Sequence, residues 1–527
     1  MSEPKRAGEG EGGVETSGVA LVDPGSEELE VFLTRRPSDS GFLPGFRGFF
    51  VGKAHSSDRR VPVGSTGPFR EPSRRHFGCA IRELFEESGL LPLKEGWVAT
   101  WEEDPVCGSP FGDWEEFRRH VDRGEIEFGD ALAGASLAVD PHVLHPVGHW
   151  RTPEWAGLDT ETEFFVAAVP RRLRSGVASH IEDAEHVDPQ WVTPGEALSR
   201  WRDGEWFLST PISLVLQGLE RDGRVRDRPL FPPENQRDRA MREMIEILGG
   251  VRMLPLATPT LPPATHTNCY LIGEHAALIV DPGSNIGSEQ RLLESALTRM
   301  SRQGCPPRAV VLTHHHSDHV GGVEAVCRNH ELEVWAHGET ADRLPGDLRV
   351  DRRLEDGEVL RVDPLSDHTL EVLHTPGHAP GHICLRHLRS GCVIAGDLVA
   401  SKGTILIDPP EGEMGEYLES LRRVDELEPR ALLPAHGTVV DAPHELLNYY
   451  LEHRREREQK VLEALRNADG PVQPQALVPE AYDDTPESAW PLAVRSLHAH
   501  LIHLVERELA VEGPPGFYEE SSPESST

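Results

Sequence analysis

The sequence predicts an α/β protein of two or three domains, and three observations support this. Its 527 residues exceed what one hydrophobic core usually serves. Short apolar runs typical of strands alternate with helical patterns along most of the chain. Between residues 221 and 250 the composition shifts to mixed charge with three prolines. We therefore expect the main domain boundary in this stretch.

The predicted elements divide the chain into six segments. Strands are expected at residues 18–22, 29–34 and 163–169, and a helix at 74–88 that ends at Gly89. The segments are a disordered tail (1–16), an N-terminal domain (17–220), a linker (221–249), a central domain (250–445), a helical C-terminal segment (446–512) and a second disordered tail (513–527).

The charge balance limits the partners of the chain. Acidic residues outnumber basic ones by 88 to 53, for a formal net charge of −35. This excess repels phosphate backbones and anionic membranes, so we expect a small-molecule substrate, with nucleic acid as the less favoured partner. Seven cysteines that occur singly favour a reducing compartment. No apolar stretch suits a signal peptide or a bilayer span, so a cytoplasmic protein is expected, and its oligomeric state stays open.

The densest cluster of metal-ligand side chains is the run 313–319, which reads Thr-His-His-His-Ser-Asp-His after an apolar strand. In an extended chain His314 and His316 point the same way, while Asp318 and His319 continue into the turn. His315 should point the opposite way and is not counted as a ligand. Imidazole and carboxylate suit zinc, and their crowding at one strand end is costly unless a cation joins them.

Three later turns carry further candidates. His378 ends a Thr-Pro-Gly-His turn, Asp397 follows Ala-Gly at the end of a strand, and His436 stands in Pro-Ala-His-Gly. A carboxylate has two oxygens, so Asp397 can bridge two cations, which one neutral imidazole cannot do.

Together these motifs resemble the metallo-β-lactamase superfamily over residues 250–445. The resemblance implies an αββα sandwich and a hydrolase with two Zn²⁺ ions per chain. It assigns His314, His316 and His378 to one zinc, and Asp318, His319 and His436 to the other, with Asp397 bridging. It also makes Asp318 the residue that orients the nucleophile, and Asp281 a candidate for orienting a ligand.

Departures within the superfamily narrow the reaction. True β-lactamases of this group commonly place a Cys where this chain has Asp397, so antibiotic hydrolysis is not expected. The full ligand set favours a dinuclear hydrolase over the single-iron sulfur dioxygenases. Hydrolysis of a thioester, ester or phosphodiester remains as the expected reaction class.

The helix at 74–88 carries a second candidate site. Its glutamates Glu83, Glu86 and Glu87 fall at i, i+3 and i+4, on one helical face. The run 82–90, Arg-Glu-Leu-Phe-Glu-Glu-Ser-Gly-Leu, resembles the second half of a Nudix box, in the branch of coenzyme A diphosphatases. The resemblance implies a Nudix α/β/α domain, catalytic glutamates, and Mg²⁺ or Mn²⁺ held by them. The pattern departs at Arg74, where the box asks for Glu.

The C-terminal segment is similar to the small winged-helix tail of lactamase-like endoribonucleases. Arg454, Arg455, Arg457 and Lys460 interleave with glutamates, which favours a solvated, salt-bridged helix face over a nucleic-acid contact. We expect this segment to pack on the central domain and to shape the mouth of its cleft.

The preferred hypothesis is a dinuclear-zinc hydrolase of a small thioester or ester, of the acyl-CoA or glutathione thioester type. Its Nudix-like module would cleave or bind a nucleoside diphosphate derivative such as CoA. One alternative is a single-strand endoribonuclease of the lactamase-like group. Another treats the Nudix module as a non-catalytic nucleotide sensor.

Overall fold

The computed structural model describes residues 14–25, 28–41, 43–64, 73–103, 105–156, 159–181, 186–225, 230, 239–346 and 348–521. The chain divides into two compact units, Met1–Leu248 and Gly249–Thr527.

The N-terminal unit contains eleven strands and seven helices among its described residues. The strands are β1 Val14–Asp23, β2 Glu30–Arg35, β3 Phe46–Gly48, β4 Phe50–Lys53, β5 Leu90–Leu93, β6 Gly96–Ala99, β7 Leu144–Arg151, β8 Thr160–Ala168, β9 Val187–Val192, β10 Phe207–Leu208 and β11 Ile245–Leu248. The helices are α1 Ser73–Ser88, α2 Trp114–Asp122, α3 Phe128–Gly134, α4 Arg174–His180, α5 Pro194–Arg202, α6 Thr210–Asp222 and α7 Arg239–Glu243.

The main sheet of this unit is mixed and has helices on both faces. Its strand order is β10-β3-β2-β1-β8-β7, with β4 paired to β1 and β9 to β2. Val19 and Leu21 of β1 pack in one apolar cluster with α1, while Ala20 and Val22 pack in another with α5 and α6. This alternation follows from the strand period of two, and it gives the α/β/α layering that the sequence predicts.

The C-terminal unit contains thirteen strands and eight helices among its described residues. The strands are β12 Val251–Ala257, β13 His266–Ile272, β14 Ala277–Val280, β15 Pro307–Leu312, β16 Glu333–His337, β17 Arg352–Leu354, β18 Val359–Arg361, β19 Thr369–His374, β20 Ile383–His387, β21 Val393–Ala400, β22 Leu432–His436, β23 Ala510–Glu512 and β24 Tyr518–Glu520. The helices are α8 Gly287–Arg302, α9 Ser317–Val320, α10 Val323–His330, α11 Gly338–Ala341, α12 Met414–Glu426, α13 Pro443–Arg466, α14 Pro474–Ala481 and α15 Trp490–Glu506.

Two sheets face each other in this unit. The first runs β12-β13-β14-β15-β16-β17 within the unit, and the second runs β18-β19-β20-β21-β22. Asn268 and Tyr270 of β13 each donate a side-chain hydrogen bond to the Pro434 carbonyl of β22, at 2.9 and 2.8 Å. Helix α8 packs on the first sheet and α12 on the second. The order of layers is therefore helix, sheet, sheet, helix.

The C-terminal segment has its own apolar cluster. Leu497, Leu501 and Leu504 of α15 are fully buried there, with residues of α14, of the β23–β24 hairpin and of the second half of α13. Their helical spacing buries one face of α15. Three helices and a two-stranded hairpin thus form a small subdomain behind the sandwich.

The prediction of a solvated, charged face on α13 is wrong for the middle of this helix. Arg454, Arg457 and Glu458 are buried, because α12 and α15 both pack against α13. Glu458 pairs with His503 and Arg507 rather than with the neighbouring arginines.

The predicted boundaries need three corrections. Residues 14–16 begin β1 and residues 518–520 form β24, so neither stretch is a disordered tail; residues 1–13 and 522–527 lie outside the described residues. The segment expected as a linker, 221–249, contains the end of α6, α7 and β11, while its residues 226–229 and 231–238 are not described.

Two further findings concern the cysteines and the helices. All seven cysteines are free thiols. Among the described residues, none of the helices combines the length and the apolar character that crossing a bilayer requires.

Candidate metal centre

Six of the seven candidate ligands of the C-terminal unit stand at or beyond the ends of strands, while Asp397 lies inside its strand rather than at the predicted end. His314 and His316 follow β15, and the short helix α9 carries Asp318 and His319. The remaining three are His378 in the turn after β19, Asp397 within β21, and His436 as the last residue of β22. Strands from both sheets therefore bring these seven side chains to one edge of the sandwich.

Two glycines make this convergence sterically feasible. Gly377 has φ +118°, and a Cβ there would lie 2.2 Å from the backbone of Tyr417. Gly396 has φ +49°, and a Cβ there would lie 2.5 Å from the ring of His382. The glycines of the Pro-Gly-His and Ala-Gly-Asp motifs are thus required by backbone conformation and by close approach.

The seven side chains form three overlapping groups whose ligand atoms lie within 4.8 Å of one another. The groups are His314, His316 and His378; His314, His319 and Asp397; and Asp318, His319 and His436. The predicted ligands are therefore together in space, and their binding of metal remains a prediction.

Asp397 lies between the two predicted zinc positions. Its Oδ1 is 3.4 Å from Nε2 of His319 and 3.3 Å from Nε2 of His436. Its Oδ2 is 3.5 Å from Nε2 of His378. Each oxygen thus faces a different group, as a bridging carboxylate requires.

Unsatisfied buried atoms indicate that a cation belongs here. Within the described chain, Nε2 of His319 and Oδ1 of Asp397 are buried and have no hydrogen-bond partner. A buried polar atom without a partner costs free energy, so native proteins rarely leave two of them side by side. The imidazole and carboxylate donors fit zinc.

The protonation states also suit a cation. Burial lowers the pKa of His314 far below its usual value and that of His316 to about 3, so both rings are neutral. Burial opposes ionisation of Asp397, but His436 and His319 outweigh it and hold the pKa of this carboxyl well below its usual range. Neutral imidazoles and an ionised carboxylate are the forms that bind metals. His319 and His436 differ, because Asp397 outweighs burial and raises their pKa, so a metal would have to displace a proton from these two rings.

In three of the histidines, the ring nitrogen that faces away from the centre, Nδ1, is fixed by a hydrogen bond. His319 Nδ1 donates to Asp281 at 2.8 Å, and the same carboxylate accepts from the backbone N–H of Thr313. His378 Nδ1 donates to the Leu406 carbonyl and His436 Nδ1 to the His266 carbonyl, both at 2.9 Å. Each bond fixes the orientation of the ring through Nδ1 and directs Nε2 at the centre.

Other histidines near the centre have supporting positions. Buried His382 accepts a hydrogen bond from the Asp397 backbone N–H at 3.0 Å and so orients that residue. His315 points away from the three groups, and its Nε2 lies 3.2 Å from Glu411. His374 stacks on His337 at 4.1 Å, outside the centre.

A cleft of about 710 Å³ opens from the metal centre toward the C-terminal segment. One end contains His316, Asp318, His378, Asp397 and His436. The opposite wall includes Arg454 of α13 and residues 492, 493, 495 and 496 of α15. The C-terminal segment therefore shapes the cleft, as the sequence predicts.

The glutamates of α1 are arranged differently. Arg82 donates to Asp58 at 2.9 Å and to Glu86 at 2.6 Å, and lies 2.8 Å from Glu83. Glu87 instead lies 3.1 Å from His186. In the described part of the chain, Glu83, Glu86 and Glu87 do not form a group of converging ligand atoms comparable to the histidine centre.

Burial shifts the two glutamates next to Arg82 toward the protonated form. It raises the pKa of Glu83 to about 7 and that of Glu86 to about 8, even though Arg82 opposes the change. Three carboxylates share one guanidinium, so they are not all ionised easily. Asp58 was missed in the sequence because it stands 24 residues before Arg82, in a polar stretch without a metal-ligand pattern.

Comparisons with known proteins identify the central and C-terminal regions. Residues 262–436 match the profile described as Metallo-beta-lactamase superfamily, and residues 474–514 match the Beta-lactamase associated winged helix domain. A Beta-lactamase-like protein 2 homolog of Drosophila melanogaster is 26% identical over 249 residues, 45% of this chain and 82% of the relative. An atrochrysone carboxyl ACP thioesterase of Aspergillus fumigatus is 28% identical over 202 residues, 38% of this chain and 60% of the relative.

The Nudix prediction receives only distant support. A NUDIX hydrolase structure from Alicyclobacillus acidocaldarius covers 42% of this chain and 98% of its own, with 23% identity and a TM-score of 0.32. A likeness at this level decides nothing, and the Nudix assignment of residues 17–220 stays a prediction.

Proposed function

Because residues 262–436 form a metallo-β-lactamase domain that is followed by its associated winged helix domain, we propose that the chain is a dinuclear-zinc hydrolase of a small thioester or ester. The position of Asp397 carries this proposal. Its two oxygens face different groups of histidines, and one of those oxygens is buried without a hydrogen-bond partner among the described residues.

The ligand roles in this proposal follow the groups in space. His314, His316 and His378 would hold one zinc, Asp318, His319 and His436 the second, and Asp397 both. When bound, two such cations supply a nucleophile at neutral pH and polarise the scissile carbonyl. Asp318 lines the cleft, with its Oδ2 3.7 Å from His436, so its carboxylate can accept a proton from the attacking water.

A thioester is the favoured substrate for two reasons. One relative, 28% identical over 202 residues, is named as an acyl carrier protein thioesterase. In addition, a cleft of about 710 Å³ exceeds what a minimal ester would fill and suits a substrate with a long thiol portion. An acyl-CoA or a glutathione thioester is the proposed type.

The N-terminal unit is proposed as a Nudix-like module that cleaves or binds a nucleoside diphosphate derivative such as CoA, with Mg²⁺ or Mn²⁺. The buried cluster of Arg82, Asp58, Glu83 and Glu86 supports a functional role, since perturbed carboxyl groups concentrate at such sites. A sensor without turnover is the alternative, and Mg²⁺-dependent cleavage of CoA would exclude it.

A single-strand endoribonuclease is the second candidate because the winged helix domain is present. Two basic residues of this segment are neutralised within the protein, which speaks against the RNA candidate: Arg457 pairs with Asp484, and Lys460 with Asp483 and Asp484. A steep fall of RNA binding with salt would favour this candidate.

The test is a hydrolysis screen of zinc-loaded protein with acyl-CoA, glutathione thioesters, single-stranded RNA and CoA itself. Asp318→Ala should abolish thioester cleavage and leave any Mg²⁺-dependent CoA cleavage intact, while Glu86→Gln should do the reverse. Intact thioesters in the presence of wild-type enzyme, or equal loss of both activities in either variant, would contradict the proposal.

A further inference from the structure

The cleft wall opposite the metal centre contains an arginine with an unusual environment. Arg454 of α13 is 3% exposed and lines the cleft. One terminal nitrogen donates to the Ile405 carbonyl and the other lies 3.4 Å from the Ser496 hydroxyl. Its Nε is buried and has no hydrogen-bond partner within the described residues.

The charge of Arg454 is not balanced by the protein. Arg457, one turn further along the same helix, pairs with Asp484, and Arg495 on the same wall of the cleft pairs with Asp408. No carboxylate lies within ion-pair distance of Arg454 in the described ranges, and the same holds for Lys402 at the cleft rim. The ring of Tyr417 lies 5.5 Å from the Cζ of Arg454 and offsets part of its charge by a cation–π contact. A buried guanidinium without a carboxylate partner remains costly, and a bound anion would offset that cost.

Arg454 is also tied to the metal centre through two consecutive carbonyls. It binds the carbonyl of Ile405, and the ring of His378 binds the carbonyl of Leu406. An anion bound to Arg454 would therefore lie in the same cleft as the acyl bond of a substrate held at the metal centre. His453, whose buried Nδ1 has no partner among the described residues, lines this wall as well.

We propose that Arg454 is the anchor of an anion subsite, which takes a phosphate or carboxylate group of the substrate while the scissile acyl bond lies at the metal centre. The proposal rests on the proposed thioester hydrolysis and adds a specificity-determining residue to it. A guanidinium suits this role because its fork of N–H donors matches the oxygens of phosphate and carboxylate.

The test compares substrates that share one acyl group and differ only in charge. One pair is the acyl thioester of 4′-phosphopantetheine and that of pantetheine, which lacks the phosphate. A second pair is a glutathione thioester and its diethyl ester, which lacks the free carboxylates. The pair whose charged member depends on Arg454 identifies the source of the anion.

Arg454→Gln is expected to raise the KM of the charged member by about 10–100-fold, the range for a lost hydrogen bond to a charged group. The uncharged member should change less than about twofold, and Arg454→Lys should restore part of the difference. Arg455→Gln is the matched control, because it removes the same charge from an exposed neighbour on the same helix.

Equal loss with charged and uncharged substrates would mean that Arg454 only positions the loop at Ile405, and the subsite would be rejected. An independent reading comes from thermal unfolding with added inorganic phosphate. Phosphate should raise the unfolding temperature of wild type and of Arg455→Gln more than that of Arg454→Gln. If no thioester is cleaved, the proposed function fails, and this phosphate-dependent difference still decides on the subsite.

Discussion

The two clusters of ionisable side chains balance their charge in opposite ways. At the edge of the sandwich, His319 and Asp397 each keep a buried atom without a hydrogen-bond partner in the described chain. On α1, Arg82 satisfies Asp58, Glu83 and Glu86 from within the protein. The cluster at the sandwich edge needs a bound cation, whereas the α1 cluster already contains a positive charge, the guanidinium of Arg82.

The difference follows from where the side chains originate. The ligands of the sandwich edge come from separate segments of two sheets, which converge at one edge. The glutamates of α1 lie within one helical turn of each other and beside an arginine of the same helix. Glutamates spaced along one helix are therefore weaker support for a metal site than ligands that converge from separate strands and turns.

The largest expected effect comes from removing the positive charge of Arg82 on α1. Arg82→Met should lower the free energy of unfolding by about 3–5 kcal/mol, because it leaves three buried carboxylates without their partner. Urea denaturation of the full chain measures this free energy from the transition in which the N-terminal unit unfolds. Arg59→Met, at an exposed position, should stay within about 0.5 kcal/mol of wild type. Equal stability of the two variants would contradict the view that Arg82 balances the carboxylates around it.

A smaller effect is expected from the residue that orients His319. Asp281→Ala should weaken zinc binding by about 10–100-fold, because the outer nitrogen of His319 and the backbone of Thr313 lose their acceptor. Competition with a chromophoric chelator measures the affinity. Asp363→Ala is the control: this carboxylate is equally buried but accepts hydrogen bonds from the backbone of Leu365 and Ser366 rather than from a ligand histidine. The same loss in both variants would argue against a specific role for Asp281.

A third expected effect is a pH dependence of stability from α1. Glu83 and Glu86 have ordinary values of 4.5, and burial raises their pKa to about 7 and about 8. The folded protein thus holds protons that the unfolded chain releases, so the stabilisation is complete below pH 4.5 and is lost as pH rises through 7 to 8.

Thermal unfolding across this range should show a falling stability, since each pKa unit by which the folded state exceeds the unfolded state corresponds to about 1.4 kcal/mol. Glu86→Gln should flatten the decline. Excess Mg²⁺ should offset it in wild type if the Nudix-like helix binds the cation. The difference in stability between wild type and Glu86→Gln isolates this site. If wild type gains stability relative to the variant between pH 5 and pH 8, the raised pKa of Glu86 is contradicted.

Much of the sandwich edge is predictable because each ligand belongs to a short, distinctive motif. The sequence predicts His378, Asp397 and His436 in three separate motifs, and the fold brings them together at one edge. The helix at residues 74–88 was equally predictable, since its apolar positions repeat at helical spacing and Gly89 adopts the left-handed conformation after it.

The remaining features depend on tertiary contacts that a local pattern does not contain. Asp58 reaches Arg82 across 24 residues. Arg454 belongs to a helix stretch of alternating charge that predicts exposure, yet packing by α12 and α15 buries it. The pairing of β24 with β23 likewise orders residues whose Pro, Ser and Glu composition predicts disorder.

The most direct test of the bridging arrangement is the metal content of the purified chain, measured by inductively coupled plasma and native mass spectrometry. The arrangement around Asp397 predicts two zinc ions per chain in wild type and in His315→Ala, and at most one in Asp397→Ala. A wild-type chain that binds one ion or none under zinc excess, or an Asp397→Ala variant that keeps two, would contradict a dinuclear centre.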